Sequence, residues 1–198
     1  MDHSGAVLAA TAVAVVAGYL LGAIPVAVLV GRARGFDPRS VGDRNPGYWN
    51  VKEQVGARAS LPVLLGDVAK GAAAGATGVL LDGTAWGMDY VAVAAAMVGH
   101  AYPVFAGFRG GRSILAFVGG MCVVAPVPAA VAVLGVLLVW AVTRSFAWAA
   151  RVGVFGFPLV QLAFESKERV AATGALLSII GLRFAQAAVA GHRRAGDQ

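Results

Sequence analysis

Apolar runs long enough to cross a bilayer follow one another along almost the whole chain, and no other feature limits its fold as severely. A helix needs roughly 20 apolar residues to span the hydrocarbon core, and inside that core only helices or closed barrels satisfy their own backbone polar groups. Seven runs are separated by short polar connections: Gly5 to Gly31, Leu61 to Leu81, Val91 to Phe108, Ile114 to Val124, Ala129 to Val142, Val152 to Phe164 and Val170 to Phe184. The composition agrees, with 59% hydrophobic residues, 13% charged residues and a mean hydropathy of +0.75. The expected fold is therefore an all-α integral membrane protein, a bundle of about seven transmembrane helices forming one membrane domain over residues 1–198.

Charge placement orients the bundle. Arg32, Arg34, Arg39, Arg44, Lys52 and Arg58 cluster between the first two runs, whereas the next connection, Asp82 to Tyr90, holds Asp82 and Asp89 and no Lys or Arg. Positive residues stay on the cytoplasmic side, so the N-terminus is expected outside and the C-terminus, with Arg193 and Arg194, in the cytoplasm. "ESKER" (Glu165 to Arg169) strains this scheme, because Lys167 and Arg169 would face outward beside Glu165 and Glu168. The formal charge of +6 does not point to nucleic acid, since the cations sit in connections and form neither a basic arm nor an amphipathic face. Cys122 is the single cysteine; it can make no internal disulfide and reads as a packing residue.

The polar motifs collect at the expected cytoplasmic end. In "GHAYPVFAGFRGGRS" (Gly99 to Ser113), Gly110 and Gly111 lie between Arg109 and Arg112. Two glycines let successive N–H groups turn toward one point, and flanking guanidinium groups add charge-assisted donors, so the turn could cradle a phosphate. The competing reading is a short turn that needs glycine for geometry and arginine for topology. His100 precedes Pro103, which should bend the helix, and is a candidate structural donor or base. Asp67 and Lys70 in "GDVAKG" are neighbours on one helix face and should point into the bundle. In the long loop, Asn45, Pro46 and Gly47 form a tight bend; Asn45 and Asn50 could orient a polyol phosphate, and Tyr48 and Trp49 suit the headgroup level.

In order and spacing, "GAIP" (Gly22 to Pro25), "DPRSVGDRNPGYWNVKE" (Asp37 to Glu53), "GDVAKG" (Gly66 to Gly71) and "GHAYPVFAGFRGGRSILAF" (Gly99 to Phe117) resemble the acyl-phosphate:glycerol-3-phosphate acyltransferase family, the PlsY-type membrane enzymes. The resemblance covers nearly the full chain, and the last motif is the most specific. It implies transfer of a fatty acyl group from acyl phosphate to glycerol 3-phosphate or a related phosphorylated acceptor, at the cytoplasmic face of the cell membrane, without metal or other cofactor. The substrates and membrane lipids are the implied partners; nucleic acid is not, and no protein partner is indicated. By the same resemblance Arg109, Gly110, Gly111 and Arg112 hold phosphate together with Gly47 and His100, and Asn45, Asn50 and Lys70 serve catalysis. Asp43 stands where the family has a functional serine and becomes a candidate base toward an acceptor hydroxyl. Glu53 stands at a family arginine, and "GLRF" (Gly181 to Phe184) lacks the family's histidine and asparagine. These departures admit a second reading, a catalytically degenerate scaffold or lipid-phosphate-binding partner protein. Small-solute transport is a third, weakened by the lack of polar residues along a path through the membrane.

Overall fold

The computed structural model describes the backbone of residues 2–83 and 87–196. Among the described residues there are eight α-helices, one 3-10 turn and no strand: α1 (His3–Gly22), α2 (Val26–Arg32), α3 (Tyr48–Asp82), α4 (Met88–Ala101), α5 (Ile114–Val124), α6 (Pro126–Thr143), α7 (Phe146–Gln161) and α8 (Lys167–Gly196), with the 3-10 turn at Val104–Ala106. The seven apolar runs correspond to α1 with α2, then α3 to α8. Among the described residues, four stretches are long and apolar enough to cross a bilayer unaided: 3–32, 48–81, 126–143 and 167–190.

The first run is broken, not continuous. Pro25 has no N–H and cannot follow the helix before it, so α1 stops at Gly22 and α2 starts at Val26. The carbonyl of Ile24, freed by the break, accepts from Val26 N–H at 3.0 Å and from Lys70 Nζ at 2.9 Å. The second run starts far earlier than its apolar stretch. Its first turns, from Tyr48, lie before a bend at Gly56, where φ is +80°. The third run ends at Ala101, because Pro103 terminates α4 and does not merely bend it. At the fifth run, Pro126 opens α6 as its first residue, where a missing N–H costs no helical bond.

Small residues bring the helices together. A Cβ on Gly18 or Gly22 of α1 would strike the backbone carbonyls of Ala92 or Ala96 in α4, and one on Gly119 of α5 would strike Val68 O in α3. Lipid tails are as apolar as leucine, so helix association in a membrane relies on close packing of this kind. A core of Val93, Met97, Phe117, Phe157 and Ile180 joins α4, α5, α7 and α8, with the Phe117 and Phe157 rings edge to face at 5.9 Å. By contrast, Leu134, Leu138 and Val142 of α6 point outward, as lipid-facing residues do. Cys122 is also exposed, on the open wall of a cavity, and is not the packing residue expected.

The bundle has two distinct polar ends. At one, the loop from residue 33 to 47, the segment 102–113 and the middle of α8 converge. At the other, Asp89 of α4 meets "ESKER": Arg169 Nη2 donates to Asp89 Oδ2 at 2.9 Å and to Val124 O at the end of α5 at 2.9 Å, and Arg169 Nε donates to Glu165 at 3.0 Å. Gln161 Nε2 donates to Tyr90 Oη at 2.9 Å and to Glu165 Oε2 at 2.8 Å. The arginine that strained the orientation argument is therefore neutralised within the fold. Residues 84–86 of the connection before Met88, and the side chains of Arg193 and Arg194, lie outside the described residues.

Candidate functional site

Two interactions anchor the long loop to its neighbours. The Arg39 guanidinium grips Asp37 through three short contacts, the shortest 2.6 Å, and its Nη1 donates to Ala106 O at 2.8 Å, so the loop is tied to the 3-10 turn. Hydrogen bonding to Arg39 holds the Asp37 carboxyl at about 2, below the ordinary 3.8. Asn50 is fully buried, and its Nδ2 donates to the carbonyls of Pro38 (2.7 Å), Val41 (3.1 Å) and Asn45 (3.1 Å). Asn50 therefore folds the loop around itself, while Asn45 and Gly47 line the adjoining cavity.

The "RGGR" turn differs from the cradle expected of it. Gly110 N–H donates to Ala101 O and Gly111 N–H to His100 O, both at 3.1 Å, so neither amide is free for an anion. The glycines are required for close approach instead. A Cβ on Gly110 would overlap His100 O, and one on Gly111 would overlap His100 Nε2. On the opposite side, Arg183 of α8 donates to Gly110 O from Nη2 at 2.9 Å and to Gly111 O from Nε at 3.1 Å. Its guanidinium lies over the Tyr102 ring at 4.8 Å and reaches Gln186 at 2.8 Å. Sequence reasoning missed Arg183; the available signal was a lone arginine within the last apolar run, a placement that calls for a polar partner.

Beneath the turn, Lys70 Nζ stands 2.9 Å from Asp67 Oδ1, with both side chains almost wholly buried. His100 Nδ1 approaches the same oxygen at 3.6 Å. The Lys70 contact is close enough for an ion pair, yet the Asp67 oxygens and His100 Nδ1 have no well-aligned hydrogen-bond partner. The expected pairing of Asp67 with Lys70 inside the bundle is what the fold displays, and His100 joins it. Lys70 also donates to Ile24 O, so one of its donors joins α3 to the break between α1 and α2 while Asp67 faces another.

Of the two turn arginines, Arg109 is exposed and borders a small cleft with Lys70, His100 and Pro25, whereas Arg112 turns the other way. Arg112 Nη2 is 3.2 Å from Asp43 Oδ2, and its guanidinium lies 4.7 Å from the centre of the Phe184 ring. Its Nε is buried without a partner. Asp43 Oδ1 accepts from Asn45 N–H at 3.0 Å, which fixes the carboxylate by its own turn. Glu53, the other substituted acid, is exposed and accepts from Trp49 Nε1 at 2.7 Å. Asp43 and Glu53 therefore engage different partners.

Arg112 stands at the mouth of a cavity of about 750 Å³. Its polar rim includes Asn45, Gly47 and Ser113, and its walls descend through Phe117, Met121, Val154 and Phe157 between α5, α6, α7 and α8. The first turn of α5, whose leading N–H groups have no helical acceptor, opens at this rim through Ser113 and Ile114. A guanidinium above an apolar trough matches an amphiphile with an anionic head and a hydrocarbon tail. Among the described residues, no group of three or more His, Cys, Asp or Glu side chains could hold a metal ion.

The glycerol-3-phosphate acyltransferase family profile matches residues 12–194. A glycerol-3-phosphate acyltransferase of Rubrobacter xylanophilus is 42% identical over 57% of this chain and 56% of its own length. Glycerol-3-phosphate acyltransferase 5 of Dehalococcoides mccartyi is 39% identical over 73% of this chain and 62% of its own. The chain thus spans little more than half the length of these relatives. The crystal structure of PlsY (YgiH), an integral membrane glycerol 3-phosphate acyltransferase in its glycerol 3-phosphate form, superposes with a TM-score of 0.79 over 89% of this chain and 88% of that one, at 25% identity. With the multi-pass helical fold and the profile match over nearly all its length, this chain belongs to the glycerol-3-phosphate acyltransferase family.

Proposed function

We propose that the protein transfers a fatty acyl group from acyl phosphate to glycerol 3-phosphate or a related phosphorylated acceptor, yielding lysophosphatidic acid or its counterpart, as an early step of phospholipid synthesis. The observation that carries this reading is the cavity under Arg112: an apolar trough for a hydrocarbon chain meets a cationic rim for a phosphate. In the reaction the acceptor hydroxyl attacks the carbonyl carbon, the bond from carbonyl to phosphate oxygen breaks, and inorganic phosphate leaves with the hydroxyl proton. Holding both headgroups at one rim would supply most of the acceleration, because orientation alone can replace much of the barrier of a bimolecular step. Arg112 and the first-turn amides of α5 would stabilise charge on the departing phosphate. Asn45 and Gly47 border the acceptor's place; Asn50, Lys70 and His100 hold the walls that they line up against. Arg109 extends the cationic rim. The density of arginine at this end supports an orientation in which it faces the cytoplasm, with the N-terminus outside.

The test is release of phosphate by the purified protein in lipid nanodiscs, given a long-chain acyl phosphate and glycerol 3-phosphate. Release that depends on both substrates and falls at least tenfold in Arg112→Ala supports the reading; no release with any phosphorylated acceptor refutes it. One observation favours a binding role without turnover: Asp43 and Phe184 already engage the Arg112 guanidinium. Binding of a lysophosphatidic acid probe without any phosphate release would establish that second reading.

A further inference from the structure

Arg112 already has an anion. The Asp43 carboxylate sits 3.2 Å from its Nη2 and, although exposed, is oriented by the hydrogen bond that Asp43 Oδ1 accepts from Asn45 N–H. The guanidinium is held in place from the other side by the Phe184 ring. Yet the pair is incomplete: the closest contact is to a terminal nitrogen, and Nε, buried at the cavity rim, has no acceptor. A planar guanidinium binds carboxylate or phosphate best through two parallel bonds, and Asp43 leaves that edge unfilled. We infer that Asp43 is a specificity-determining residue that acts as the resident counter-ion of Arg112, so that a phosphate headgroup entering the cavity must displace it or bind against its charge.

This follows from charge and geometry at one position, and it rests on the reading of the cavity as a phosphate site. A phosphate oxygen that reaches Nε and Nη2 together arrives within a few ångströms of the carboxylate, at a half-exposed rim where unit charges still interact appreciably. Neutralising Asp43 removes both the competitor and the repulsion. The effect scales with ligand charge: a dianionic phosphate gains, and an uncharged polyol does not.

Asp43→Asn is the clean perturbation, since its amide oxygen can still accept from Asn45 N–H. Affinities for inorganic phosphate, glycerol 3-phosphate and glycerol are measured by calorimetry on the full chain in nanodiscs. Asp43→Asn should bind the two phosphates about tenfold more tightly, as expected for one opposing charge removed from a partly exposed site. Glycerol binding should not change, and Asp43→Asn/Arg112→Gln should lose the gain. Asp43→Ser, which keeps a short polar side chain, serves if the amide variant misfolds. Unchanged or weaker phosphate binding in the folded variant overturns the inference, as does a gain that survives loss of Arg112 or a failure of every variant to bind phosphate. The acyl-transfer reading fails separately: tighter phosphate binding with no turnover by any variant refutes that reading and leaves the role of Asp43 standing. Turnover by the natural chain with no gain in Asp43→Asn does the reverse.

Discussion

Replacing Lys70 by methionine removes a buried charge and leaves its partner stranded. Lys70 and Asp67 are 5% and 2% exposed and 2.9 Å apart, so the aspartate would remain in the bundle without a cation at contact distance. Losing one member of such a pair costs about 3–5 kcal/mol, because the remaining charge keeps its desolvation penalty and loses its attraction. Two features of this site adjust that range. His100 at 3.6 Å could close on Asp67 and soften the loss, while Ile24 O loses its bond from Lys70 at the α1–α2 break and adds to it. These act in opposite directions, and about 3 kcal/mol is the expected result, a hundredfold or more in the unfolding equilibrium. Unfolding in mixed micelles, followed by tryptophan fluorescence, would compare Lys70→Met, Asp67→Asn and the double variant. The double variant should recover more than 1 kcal/mol relative to the sum of the singles, the mark of direct coupling. A Lys70→Met protein within about 1 kcal/mol of the natural chain, or strictly additive effects, would show that the lysine is solvated and free for chemistry, and the structural reasoning would be wrong.

Arg183→Met should loosen the "RGGR" turn without unfolding the bundle: hydrogen exchange of the amides at 107–113 should quicken about a hundredfold, since each of the two charge-assisted bonds lost is worth on the order of 1.5 kcal/mol. Gly111→Ala should lower stability by about 1–3 kcal/mol, because its methyl group would overlap the ring of buried His100; a stability equal to the natural chain would rule out the tight approach. Arg169→Met should destabilise by about 3 kcal/mol in the same unfolding assay, because it takes the guanidinium away from the buried Asp89 carboxylate. The Asp37 carboxyl titrates at about 2 when folded against an ordinary 3.8, so its contribution is full above the ordinary value and fades as pH falls through about 2. The difference in melting temperature between the natural chain and Asp37→Asn should accordingly hold steady above about pH 4 and close below it; a difference that persists at the acid limit would show that the Asp37–Arg39 contact is not what the substitution removes.

The order of the apolar helices was legible in the sequence because hydropathy is local and an apolar stretch seeks lipid whatever its neighbours do, although among the described residues only four stretches reach the length that crosses a bilayer unaided. Breaks at Pro25 and Pro126 were accessible for the same reason, since a missing N–H acts within one turn, although the apolar character of Gly5 to Gly31 concealed the first. The helical approach of Asp67 to Lys70 was likewise a matter of spacing. Partnership across the bundle was not. Whether Gly110 and Gly111 offer their amides to a ligand or return them to Ala101 and His100 depends on where α4 ends relative to the turn, and the strap from Arg183 spans more than seventy residues. Asp43 could be aligned with a motif, but only packing set its carboxylate beside Arg112 and sent Glu53 to Trp49. What the sequence alone determined was the solvent each segment occupies, a property carried by single side chains. The tertiary structure decided which donors and charges remain unspent at the cavity rim, because that is a property of pairs brought together from distant parts of the chain.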